Sequence, residues 1–131
     1  SHVTLARVAG LSNAADLLLS GRTILGSEAT ELGVASRALD AAEVLPTARA
    51  LAADIAANTA PVSVAVTKRL LWQGLTADVE TMLERESPLF DWLGNQPDAK
   101  EGVAAFVDKR PPRFAMSAAR DLPPGLTRER R

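Results

Sequence analysis

The stretch from Asp98 to Phe114 limits most tightly what this chain can fold into. Asp98 and Glu101 have capping-box spacing, an apolar-periodic run follows, and Pro111-Pro112 ends it. Proline has no N–H to donate and clashes with the preceding turn, so a helix over Asp98 to Lys109 must stop sharply there. Phe106 and Lys109, three residues apart, then fall on one face of that helix.

The rest of the chain reads as helix in the same way. Ser12 and Gly21 mark the start and the left-handed end of a short helix over Ala14–Leu19. Ser27 caps a further turn, Glu28 to Leu32, which closes at Gly33. Thr23-Ile24-Leu25 and Val34 to Leu39 are brief extended pieces, too short to make a sheet of their own. Leu45, Ala48, Leu51, Ala52 and Ile55 recur at helical spacing up to about Asn58. Pro61 suits the first turn of a helix lined by Val62, Val66 and Leu70. A third long helix carries Leu75, Val79, Met82, Leu83, Phe90 and Leu93, with Pro88 expected to kink it. Beyond Phe114 the composition, ending in Arg128-Glu-Arg-Arg131, predicts a mobile or partner-bound tail.

Composition agrees with a mainly α chain. Apolar residues make up 47% of the 131, aromatics only 4% and tyrosine none, which favours close-packed helices over a β-sandwich. The net charge of −1 gives no broad footprint for nucleic acid or an anionic membrane. No apolar run reaches the length of a membrane span, and Asn13 and Asp16 interrupt the N-terminal apolar stretch as no signal peptide would. The absence of cysteine removes disulfides and thiolate chemistry and fits a cytoplasmic protein.

Catalytic machinery is hard to assemble from these residues. His2 is the only histidine, so neither a Ser-His-Asp triad nor a histidine-based metal site can form. Gly21 and Gly26 match no phosphate-loop pattern. Glu84 and Glu86 point to different sides of their helix, and Glu86 beside Val79, Leu83 and Phe90 reads as a partly buried structural carboxylate. Glu101 reads as a carboxylate meeting the unpaired N–H groups at a helix start. Phe106 with Lys109 could stack on an aromatic base while the ammonium meets a phosphate, or Phe106 could simply pack in a core. Arg110 and Arg113 add nearby positive charge.

Read in order, the chain resembles the C-terminal portion of the enoyl-CoA hydratase/isomerase (crotonase) family. Leu5-Ala-Arg-Val-Ala-Gly10 and Leu17-Leu-Leu-Ser-Gly-Arg22 resemble its L-x-R-x-x-G and L-x-L-[ST]-G-R stretches. Glu28-Ala29 with Leu32-Gly-Val34, then Ala48 to Ile55, Pro61 and Lys68, are similar to its next segments. Asp98 to Arg110, with Pro112 and Phe114, is similar to D-x-x-E-G-x-x-A-F-x-E-K-R followed by P-x-F; Asp108 stands where the family usually has glutamate.

The resemblance implies the helical C-terminal part of a ClpP/crotonase-like β-β-α superhelix. Residues 1–40 would be the last short core elements, 41–114 a helical oligomerisation and coenzyme A-contact region, and 115–131 a flexible tail. It implies Phe106 and Lys109 as coenzyme A-binding residues, an acyl-CoA substrate, and a homotrimer or dimer of trimers. No separate cofactor or metal is implied, since coenzyme A is part of the substrate. The family's catalytic glutamates and oxyanion-hole donors correspond to no residue among these 131, so no catalytic residue is assigned. Hydration of a 2-enoyl-CoA is the leading expectation for the parent. The alternatives are another crotonase-type reaction (isomerase, decarboxylase, dehalogenase or thioesterase) and a non-catalytic helical oligomerisation module.

Overall fold

The computed structural model describes residues 2–126, and every element in that range is helical. The chain divides into two compact units, Ser1–Ala48 and Arg49–Arg131. Among the described residues there is no strand; the pieces read as extended, 23–25 and 34–39, are irregular connections.

The first unit holds α1 (His2–Ala9), α2 (Leu11–Ser20) and α3 (Gly26–Glu31). Helix α1 is absent from the sequence reading. A single residue, Gly10, separates it from α2, and its φ of 81° allows a reversal that a residue with a Cβ would resist. Ala9 and Ala14 are buried where α1 and α2 pack, their small side chains permitting close approach. Gly21 ends α2 in the left-handed conformation, its N–H donating to the Leu17 carbonyl, as expected from its position. Ser12 and Ser27 are not caps: each lies inside its helix, whose cap positions are Gly10 and Leu25. Arg22 bridges α2 to α3 by pairing with Glu28 at 2.6 Å and Asp16 at 2.8 Å, which raises its pKa.

Helix α4 (Ala41–Asn58) starts four residues before the apolar periodicity does and absorbs Pro46 near its beginning. In the second unit, Pro61 opens α5 (Pro61–Gly74) at its first turn, as its fixed φ favours. Val62 and Val66, one turn apart, are each 1% exposed and form the centre of a small core. Helix α6 (Val79–Gly94) begins later than its apolar residues imply. Asp78 caps it, accepting from the Thr81 N–H at 2.8 Å and the Thr81 hydroxyl at 2.9 Å, and these bonds lower the Asp78 pKa. The helix continues through Pro88, which costs the Glu84 carbonyl its helical donor. Helix α7 is Pro97–Val107, and α5 packs on α6 and α6 on α7.

The burial pattern is lopsided. Few side chains are enclosed, while Leu45, Leu51, Leu71, Leu83, Phe90 and Val103 stand more than half exposed. Stability at the centre should therefore depend on a few positions. Val66→Ala removes two carbons from a filled site and is expected to cost about 2 kcal/mol, whereas Leu71→Ala, at 69% exposure, should cost about 0.5 kcal/mol or less. Urea denaturation of the two variants checks the contrast.

Candidate functional site

The expected site lies where α7 ends. Gln96 precedes the helix and Pro97 occupies its first turn, so Asp98 lies inside α7 and is not its cap. The capping-box reading is therefore corrected, and both carboxylates serve another purpose. Asp98 is 4% exposed, and its Oδ1 accepts from the Ala115 N–H at 2.8 Å. The Met116 N–H lies 3.3 Å from each Asp98 oxygen. One turn along, Glu101 accepts from both terminal nitrogens of Arg110, at 2.7 and 2.9 Å, and from the Arg113 N–H at 2.6 Å. The segment after α7 thus runs back along the helix, with the Phe114 ring facing Gly102, where even a Cβ would meet it at an ordinary 3.8 Å.

These contacts extend to the segment expected to be a mobile tail. Residues 115–126 are held to the rest of the unit by the Ala115 and Met116 bonds to Asp98, by burial of Pro123 and by Arg69, which reaches the Leu126 carbonyl at 3.4 Å. Within the segment Asp121 accepts from the Ser117 N–H at 2.7 Å. The terminal arginines Arg128, Arg130 and Arg131 lie outside the described residues.

Electrostatics follow from the same geometry. Arg110, read as free positive charge, is instead held in a two-pronged pair with Glu101 and lies 3.4 Å from Asp108. Its pKa is raised accordingly. Glu101, read as a helix-start carboxylate, has its pKa drawn from 4.5 to about 2, first by the Arg110 hydrogen bonds and then by the Arg113 N–H. Glu86 is exposed rather than buried: the apolar stripe of Val79, Leu83 and Phe90 beside it is itself uncovered, and Glu86 borders an open groove with Leu70 and Met82.

Phe106 and Lys109 do not share a helix face. The helix stops at Val107, and Lys109 adopts a left-handed backbone with φ of 52°. The Lys109 N–H donates to the Phe106 carbonyl at 3.3 Å and the Arg110 N–H to the Ala105 carbonyl at 3.0 Å. This is a Schellman ending, in which the left-handed position normally goes to glycine. A side chain there costs about 1 kcal/mol or more. The Phe106 ring is 85% exposed, so it packs in no core of this chain. Among the described residues Lys109 enters no salt bridge, leaving its ammonium uncommitted. An open groove of about 700 Å³ along α7 is lined by Val103, Ala104 and Val107 but by neither of these two residues.

Residues 1–117 match the family model described as enoyl-CoA hydratase/isomerase. This chain belongs to that family. A probable enoyl-CoA hydratase of Bacillus subtilis is 40% identical over 111 residues, which are 84% of this chain and 43% of that protein. The short-chain-enoyl-CoA hydratase of Clostridium acetobutylicum is 31% identical over 106 residues, 81% of this chain and 40% of the relative. Among solved structures, a probable enoyl-CoA hydratase/isomerase from Mycobacterium abscessus superposes with a TM-score of 0.84 at 44% identity. That match covers 87% of this chain and 45% of the other. The chain spans less than half the length of these enoyl-CoA hydratase/isomerase relatives. Its helices are the crotonase-like part expected from the resemblance.

What the residues missed was legible only in part. Pro111-Pro112 announced a reversal, and Asp98 and Glu101, three apart, announced carboxylates on one face. Nothing in the spacing said that their partners would be Arg110 and the N–H groups of Arg113, Ala115 and Met116. The lack of glycine at the helix end was the available signal for a strained residue.

Because the Glu101 pKa falls on folding, the stability it contributes is present above its unfolded value and is lost as pH drops from about 4.5 toward about 2. Acidification below about pH 5 should therefore lower the unfolding temperature more in the unsubstituted protein than in Glu101→Gln. Thermal melts of both proteins across that range check it; parallel curves would mean that the pair contributes nothing.

Proposed function

We propose that this chain is the coenzyme A-contacting, subunit-packing part of an acyl-CoA enzyme that hydrates 2-enoyl-CoA thioesters. The observation that carries the reading is the exposed Phe106 ring at the end of α7, with a Lys109 that enters no salt bridge among the described residues. Phe106 exposes most of its ring, and Lys109 occupies a backbone position that glycine would fill at lower cost. A ring suits an adenine face, and an ammonium suits a phosphate. Strain retained at a surface lysine is the pattern expected of a binding role rather than of a packing one.

Hydration is favoured over other chemistries by the relatives, whose names specify enoyl-CoA hydratases at 31–40% identity. The reaction needs a base, an acid and oxyanion donors. No such group is assigned among these residues, so the chemistry belongs to other segments of the parent protein. The many exposed apolar residues on α4 and α6 support packing against further protein, and a homotrimer or dimer of trimers is the assembly proposed.

Two measurements test the reading. In the intact protein, Phe106→Ala and Lys109→Ala should each raise the KM for crotonyl-CoA by about tenfold, the loss of one stacking or charge-assisted contact, with little change in kcat. Unchanged KM values would remove both residues from the site. The isolated 131-residue chain should not hydrate crotonyl-CoA, and measurable hydration would contradict the assignment of chemistry elsewhere.

A further inference from the structure

We infer that Asp98 and Glu101 are positioning residues for the coenzyme A contact, holding Lys109 in its left-handed conformation. The inference rests on the reading of Phe106 and Lys109 given above. Neither carboxylate touches those side chains in the contacts described; each acts through the backbone that follows.

The geometry leaves the chain little choice. Glu101 fixes Arg110 and the Arg113 N–H, and Asp98 fixes the N–H groups of Ala115 and Met116. Residue 110 must therefore return along α7 within three residues of the helix end at Val107. Such a reversal needs a positive φ, and Lys109 supplies it. Without the clamp, Lys109 could relax to an ordinary negative φ and the two Schellman hydrogen bonds would open. Asp98 is buried with its oxygens occupied by backbone donors, so it is built into the fold rather than available to ligand. Arg110, neutralised by Glu101, secures the turn, while Lys109 enters no salt bridge among the described residues.

A stability cycle tests the coupling without any ligand. In the intact protein, Lys109→Gly relieves the backbone strain and should raise the unfolding temperature. In a Glu101→Gln background half of the clamp is gone, so the same substitution should bring a clearly smaller gain. An equal gain in both backgrounds would overturn the inference. Arg110→Lys, which keeps the charge but loses the two-pronged fit, provides a second background should Glu101→Gln fold poorly.

Coenzyme A titrations, run well below the unfolding temperature with circular dichroism confirming the fold, supply the functional arm. Glu101→Gln alone should weaken binding about tenfold, equivalent to one charge-assisted contact. Added to Lys109→Ala, it should cause no further loss, because it acts through that lysine. Additive losses would show a general structural effect and overturn the positioning role. If Lys109→Ala alone leaves affinity unchanged, the coenzyme A reading fails, while the stability cycle still decides whether the clamp sets the backbone.

Discussion

Two carboxylates one turn apart on α7 determine how this end of the molecule is built. Asp98 and Glu101 lie inside α7 rather than at its cap, and they grip the chain that follows them. A carboxylate that accepts several N–H groups is a strong anchor, since each bond is charge-assisted and backbone donors are fixed in place. Glu101 gathers a guanidinium and a backbone N–H, and Asp98 gathers two consecutive backbone N–H groups. The left-handed Lys109, the seating of Phe114 over Gly102 and the ordered course of residues 115–126 all lie downstream of that grip.

The same grip separates charges by role. Three cations cluster in sequence at 109, 110 and 113, and composition treats them alike. Geometry does not. Arg110 is committed to Glu101, whereas Lys109 enters no salt bridge among the described residues. Recognition of a phosphate requires a cation that can leave water without abandoning another partner, and of the two Lys109 meets that condition. Beside it on the chain stands an aromatic ring left outside any core of this chain, which is costly unless another surface covers it.

Much of the fold was legible because it rests on local rules. Gly21, Pro61 and the periodicity of Val62 and Val66 each did what their backbone or burial preferences require. Where boundaries moved, a local feature explains it: Asp78 starts α6 with a cap, Gly10 allows a break between α1 and α2, and Pro97 starts α7 one residue before Asp98. The site was legible as residue types but not as geometry. Phe106 and Lys109 could be picked out together, yet an unbroken helix was assumed between them. The error has a long-range cause, since the contacts that end the helix join residues nine to eighteen positions apart, beyond the reach of periodicity. Glu86 failed for a related reason: closeness to an apolar stripe in sequence does not say which side of α6 is covered.

The proposed role of this chain depends on whether the end of α7 holds the nucleotide portion of coenzyme A. A crystal structure of the intact protein with coenzyme A bound tests this most directly. Lys109 should keep its positive φ, its ammonium should meet a phosphate, and the Phe106 ring should lie against the adenine. A nucleotide bound away from the end of α7, with Phe106 and Lys109 both facing solvent, would contradict that role.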